Sequence, residues 1–394
     1  MRERGIVRKI EGWSSELTAW RHDIHRHPET AFEERRTSDF VAQKLASFGL
    51  TAHRGIAKTG VVASLKVGSS TRAIGLRADL DALDVQELNA FDHVSTIPGK
   101  MHACGHDGHT TMLLAAARYL TEEKSFDGTV HFIFQPAEEN EGGARVMVEE
   151  GLFRFCPCEG VYGMHNMPGI PEGSFAVRKG PIMAACDTFE ITITAKGAHA
   201  AFPQTGKDSI VIASQLVGAL QTIVSRNVSP IDQGVVSVTQ IHAGDTWNVL
   251  PEVTTLRGTT RSFKKSVQDV IENRMRELCE GFGKAHGVAI ALDYARRYPA
   301  VVNHAAETDH CIDVMKALVG DAMADGNTDP VMGAEDFACM LEAKPGCYLF
   351  IGNGETRPAI HNPRYDFNDA ILPLGASYWV RLVEHLLRIT DVRV

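Results

Sequence analysis

Three short apolar runs in the first half of the chain each break into acidic or imidazole side chains: AIGLRADLDAL (73–83), TVHFIFQPAEEN (129–140) and GVYGMHN (160–166). Helix-period segments such as WSSELTAWRHDIHRH and FEERRTSDFVAQKLASFG stand beside them, the first stopping at Pro28 and the second at Gly49. Ser14 or Ser15 would cap the first of these helices. Strands alternating with helices predict an α/β fold with a largely parallel sheet. Ligands collect at the carboxyl ends of strands in such sheets. The pattern therefore predicts that Asp79, Asp81, Glu138, Glu139 and His165 meet at one rim.

The texture changes near residue 184. DTFEITITAKG alternates with period two, as a strand with one exposed face does. A helical run (SIVIASQLVGALQTIV), two further strands (VVSVTQIHAG, VTTLRGTTRSF), a long helix over 264–285 and GVAIALDYARR complete a strand, helix, two strands, helix, strand layer. From YPAVVNH onward the first pattern resumes. The expectation is a catalytic domain formed by 1–183 and 298–394, interrupted by an α+β domain at 184–297. A chain of 394 residues has room for both.

Composition narrows the function classes. The chain is 44% hydrophobic and 23% charged with a formal net charge of -9. It can bury an ordinary core, and no Lys/Arg cluster is large enough to hold a nucleic-acid backbone. No segment is expected to cross a membrane. The charged start MRERGIVRKIEGWSSEL lacks the apolar stretch of a secretory signal, and the eight cysteines form no small-scaffold framework. These features favour a reducing cytoplasm and free thiols. The CPC at 156–158 reads as a loop with two small buried residues, since one intervening residue is not zinc-finger spacing.

MHACGHDGH (101–109) concentrates coordinating chemistry. Cys104 and His106 can be two metal ligands from one glycine-containing loop, a nucleophile beside its base, or a polar loop without a task. QPAEEN places Glu138 and Glu139 side by side. Adjacent residues of an extended strand point to opposite sides, so both reach one site only if the strand end bends. One could then bind metal while the other serves as general base. His165 and His361, in MHN and HNPRYDFND, raise the metal reading above the cysteine-nucleophile reading.

Taken together, MHACGHDGH, QPAEE, MHN, GAHAAFP, NVLPE, GTTRSF, GAEDFA and HNPRYDFND resemble the metal-dependent amidohydrolases of the M20 peptidase family. The nearest branch is that of hippurate hydrolases, N-acyl-amino-acid amidohydrolases and auxin-conjugate hydrolases. The resemblance covers nearly the whole chain, in order. It implies a zinc-peptidase-like (phosphorylase/hydrolase-like) catalytic domain with an inserted ferredoxin-like lid and dimerisation domain, assembled as a homodimer or homotetramer. It implies two divalent ions (zinc, manganese, cobalt or nickel) held by Cys104, His106, Glu139, His165 and His361, with Glu138 as general base. His199 would polarise the scissile carbonyl, Asn248 and Arg261 would hold the substrate carboxylate, and Asp79 would stand behind the ligands. His102 and His109 read as supporting residues, with His109 near the start of the helix TTMLLAAARYL.

Three of these assignments have a plainer alternative: Asn248 as a turn cap, Arg261 as a surface ion pair, Asp79 as a strand terminus. Two positions depart from the family pattern, Asp84 and Ser209, both where proline is common. The expected reaction is hydrolysis of an N-acyl amino acid to a carboxylic acid and a free amino acid. Its rivals are a dipeptidase or aminopeptidase of the same fold, a cysteine hydrolase, and a non-catalytic protein that binds amino-acid conjugates.

Overall fold

Apolar strands Ala73–Asp79, Gly128–Gln135, Gly160–Pro168 and Gly346–Gly354 build the centre of an eight-stranded sheet in the computed structural model, which describes residues 5–139 and 141–389. The sheet order is Ala52–Ile56, Gly60–Val67, Gly128–Gln135, Ala73–Asp79, Gly160–Pro168, Gly346–Gly354, Phe175–Ala176, Ala324–Asp325. Those four central strands are mutually parallel. Gly60–Val67 runs antiparallel to both of its neighbours, so the sheet is mixed, with its parallel part at the middle. The strand Ala73–Asp79 is buried along its entire length, as expected of a strand covered on both faces.

Helix His106–Glu123 supplies much of that cover, burying Met112, Leu113, Leu114 and the run Ala115–Ala117 at 0% exposure. The helix Leu372–Leu386 lies against it at close range. A Cβ on Gly375 would fall 2.0 Å from Met112 Sδ, so any larger residue would displace the Met112 side chain. Ser14 does not cap the helix Ser14–His25. Trp13 occupies that position, and the Ser14 hydroxyl turns back to the Glu11 carbonyl at 2.5 Å.

The described chain divides into two compact units: 1–182 with 302–329 and 336–394, and 183–301 with 330–335. The first expected boundary lay one residue later and the second four residues earlier. The segment 330–335, expected with the first unit, groups with the second, where Val331 bridges to Met183. The second unit is a four-stranded antiparallel sheet, in the order Gly234–Ala243, Val253–Ser262, Ala185–Thr194, Ala289–Tyr298. Helices Ser209–Asn227 and Lys265–His286 give the chain order strand, helix, strand, strand, helix, strand, the ferredoxin-like arrangement.

Contrary to the expectation that no segment would suit a membrane, Ser209–Asn227 is long and apolar enough to cross one by length and composition. The reason is local. Ile212, Leu216, Leu220 and Ile223 are the buried stripe of this unit's own core, and Arg226 is the helix's only charged residue.

Candidate metal centre

The loop before helix His106–Glu123 turns at Gly105, whose φ is 94°. A Cβ there would sit 2.2 Å from Asn166 Oδ1 and 2.5 Å from the Tyr365 hydroxyl, so the turn requires glycine. The helix begins at His106, three residues before the start expected at His109. His106 Nδ1 donates to the Asp81 carbonyl at 2.9 Å and lies 3.2 Å from Asp81 Oδ1. The opposite nitrogen, Nε2, is buried without a hydrogen-bond partner. His165 is likewise oriented, its Nδ1 donating to the Asn166 carbonyl at 2.5 Å and its Nε2 standing 3.3 Å from Cys104 Sγ. It lies inside the strand Gly160–Pro168 rather than beyond it, because pairing with Gly346–Gly354 continues through Asn166.

The strand carrying the two glutamates ends at Gln135, and Ala137 then takes a left-handed φ of 55°. That bend turns both carboxylates toward one place: donor atoms of Glu138, Glu139 and His106 lie within 4.8 Å of one another. Asp81 Oδ2 accepts the Glu139 backbone N–H at 2.9 Å. His361, also left-handed at φ 63°, donates its backbone N–H to Ala103 at 2.7 Å and brings Nε2 to 3.1 Å from Glu139 Oε1. Two non-glycine residues in this strained region at one site are held there by the surrounding structure.

Two donor sets share Cys104: one adds His106 and His165, the other Glu139 and His361. Thiolate, imidazole and carboxylate in one cluster suit a divalent transition ion. Burial would lower the His106 pKa, but Asp79, Asp81 and Glu139 outweigh it and lift it to about 10. Burial, with His109 and His106 close by, holds His165 well below its ordinary value. Burial and the carboxylates of Glu139, Glu138 and Asp79 push the Cys104 thiol well up. A cation here would reverse that balance, displacing the His106 proton and stabilising the thiolate. The partnerless Nε2 of His106 and this excess of negative charge fit a metal centre.

Asp79 lies behind the cluster. It is fully buried, accepts from Arg77 at 2.7 Å and from His109 Nδ1 at 2.6 Å, and stands 3.6 Å from His106 Nε2. Burial opposes its charge, but His106, Arg77 and His109 hold its pKa well below the carboxylate range. His102 is buried with neither ring nitrogen hydrogen-bonded, and burial drives its pKa down to about 4, so it stays neutral. An open groove of about 710 Å³ reaches Glu139 and is walled by Phe32, Arg35, Lys58 and Asp84, the last being one of the two departures from the family pattern. Cys156 and Cys158 are buried and unpaired, with thiol pKa values raised by burial to about 12 and about 11.

In the second unit His199 pairs with Val249, and Asn248 accepts the Ala200 N–H at 2.9 Å, so these two residues are neighbours. Ala201 N–H donates to His199 Nδ1 at 3.1 Å, which in the neutral ring puts the proton on Nε2. Arg261 is fixed by the Met332 carbonyl at 3.2 Å and the Thr260 carbonyl at 2.9 Å, and makes no ion pair among the described residues. Sequence reading placed Asp81 at the rim without a role and passed over Asn166 and Tyr365. Asp81 could have been found as the residue two beyond Asp79, on the same side of an extended segment.

The model of peptidase family M20/M25/M40 matches residues 75–385. The chain is 39% identical over 383 residues to the hippurate hydrolase of Campylobacter jejuni, covering 97% of this chain and 100% of that protein. It is 34% identical to the N-acetylcysteine deacetylase of Bacillus subtilis, covering 94% and 97%. Among solved structures it resembles the YXEP protein of Bacillus subtilis, a dinuclear metal-binding peptidase from the M20 family, with a TM-score of 0.84, 31% identity, and coverage of 96% and 100%.

Proposed function

The chain belongs to peptidase family M20/M25/M40, and from that premise we propose that it is a metal-dependent amidohydrolase that cleaves N-acyl amino acids to a carboxylic acid and a free amino acid. The observation that carries this reading is a set of overlapping donor groups: Cys104 with His106 and His165, Cys104 with Glu139 and His361, and His106 with Glu139 and Glu138, a carboxylate 5% exposed. The similarity to a hippurate hydrolase and an N-acetylcysteine deacetylase supports the substrate class.

In this reading the five donors hold two divalent ions, drawn from zinc, manganese, cobalt or nickel. When bound, the ions supply Lewis-acid polarisation and lower the pKa of water. Glu138 takes the proton from the attacking water and delivers it to the nitrogen of the departing amino acid. The water oxygen goes to the acyl carbon as the C–N bond breaks. Asp81 and Asn166 hold the two histidines by their Nδ1 atoms, so that each presents Nε2. We assign to His199 the polarising of the carbonyl, which its Nε2 proton suits, and to Asn248 and Arg261 the substrate carboxylate.

The second unit serves as a lid and as the surface through which a homodimer or homotetramer forms. Eight unpaired cysteines support a reducing cytoplasm. The test is a panel of N-acetyl, N-benzoyl and indole-acyl amino acids, with free dipeptides for comparison. Each is offered to chelator-stripped protein reloaded with zinc, manganese, cobalt or nickel. Metal-restored release of free amino acid from acylated substrates supports the reading. Preference for free dipeptides favours a dipeptidase, and activity that survives stripping overturns the metal assignment.

A further inference from the structure

Arg77 is 1% exposed, two residues before Asp79 on the same strand and on the same face of it. Each arm of its guanidinium goes to a different segment. Nη1 donates to Asp79 Oδ2 at 2.7 Å, Nε to Gln135 Oε1 at 2.7 Å, and Nη2 to Asp336 Oδ1 at 3.2 Å. Gln135 closes the figure, donating through Nε2 to both Asp336 oxygens at 2.8 and 2.9 Å. Asp336 Oδ2 also accepts the Ala144 N–H at 2.8 Å.

The three segments carry the parts of the candidate centre. Asp79 holds His109 and stands beside His106. Gln135 is the last strand residue before the bend that presents Glu138 and Glu139. Asp336 donates its backbone N–H toward Glu138 Oε1 at 3.4 Å. A planar cationic fork fixed in three directions spans the histidine side and the glutamate side at once, which a lysine cannot reproduce. A buried ion network is a poor source of stability compared with an apolar core of the same volume, so stability alone does not account for it.

We propose that Arg77 is a positioning residue for the hydrolytic reaction, setting Glu138 against the histidine donors through Asp336 and Asp79. The proposal rests on the amidohydrolase reading above. It concerns geometry, and Arg77 touches no substrate.

The test compares Arg77→Lys, Arg77→Met, Asp336→Asn and the Arg77→Met/Asp336→Asn double variant with the wild type, all full-length and metal-loaded. Bound metal, unfolding midpoint, kcat and KM are measured on each. The expected result is a kcat lowered roughly 10- to 100-fold in Arg77→Met and Asp336→Asn, with KM within about twofold. Arg77→Lys should recover only part of the loss, and the double variant should be no slower than the slower single.

A kcat per metal-loaded molecule that stays at the wild-type level, with only the unfolding midpoint lowered, overturns the proposal. Losses that multiply in the double variant overturn it as well. Where Arg77→Met yields no folded protein, Arg77→Lys and Asp336→Asn decide: wild-type kcat in both overturns it, and a kcat loss at constant KM in both supports it. A wild type that hydrolyses no N-acyl amino acid removes the underlying reading and this inference with it. An active wild type with unaffected variants removes the inference alone.

Discussion

Asp81 grips His106 by its backbone carbonyl, which accepts the His106 Nδ1 proton at 2.9 Å, while its carboxylate takes the Glu139 N–H at the same distance. One fully buried residue thus orients a donor from the helix start and a donor from a strand end. Truncating it keeps the backbone carbonyl but removes the Glu139 acceptor and the Oδ1 contact 3.2 Å from His106 Nδ1, so the fold should stay in place while Glu139 loosens most. We expect Asp81→Ala to weaken divalent-ion affinity roughly 10- to 100-fold, read by competition against a chromogenic chelator. An unchanged affinity would show that the Asp81 carboxylate is not what orients Glu139.

Glu138 is separable from ion binding in this account. Glu138→Ala should still take up two ions per chain and lose turnover by about two to four orders of magnitude, the usual contribution of a positioned base. Metal analysis beside a single-substrate rate assay checks it. Near-normal turnover would defeat the assignment.

Gly105 carries the loop geometry. With φ at 94° and a Cβ position 2.2 Å from Asn166 Oδ1, Gly105→Ala must pay for a left-handed residue, about 1–3 kcal/mol, and must also move Asn166 or Tyr365. The expected outcome is a lowered unfolding midpoint together with weaker ion binding. A variant that loses neither would mean that the loop has room the structure does not give it.

His25 provides a pH test away from the donors. Burial disfavours its charge, but hydrogen bonds to Asp107 at 2.8 Å and Glu87 at 3.3 Å prevail, raising its pKa from 6.5 to about 9. A raised folded-state value means that protonated His25 stabilises the fold below pH 6.5. That contribution, at most roughly 3 kcal/mol, is lost as pH climbs through about 9. Denaturant midpoints of the metal-stripped protein should fall over this window, and His25→Gln should flatten the fall. Parallel profiles for the two proteins would contradict the assignment.

How much of this was legible before the fold depends on how local the cause is. The central strands are legible because each is a run of apolar residues bounded by polar ones, and the resemblance to the M20 family follows from motifs spread over the chain. The need for a bend after Gln135 could be stated from the adjacency of Glu138 and Glu139. The left-handed Ala137 that makes it could not, since alanine carries no signal for that conformation. Asp81 was placed at the rim but given no role, and Arg77 and Asp336 escaped notice, because their partners are distant in sequence, Arg77 and Asp336 being 259 positions apart. The helix start at His106 was hidden by its loop-like composition, and the membrane-like apolarity of Ser209–Asn227 was read only as a helical run.

The central claim is that Cys104 and the nitrogen and carboxylate donors around it hold divalent ions that hydrolysis requires. Cobalt(II) titration of the stripped protein tests it most directly, because a thiolate bound to cobalt gives a charge-transfer band that imidazole and carboxylate ligands lack. The account predicts that the band and the hydrolysis of an N-acyl amino acid rise together and saturate by two equivalents, and that Cys104→Ser abolishes the band. Full activity on cobalt addition with no thiolate band, in a protein whose Cys104 is intact, would contradict it.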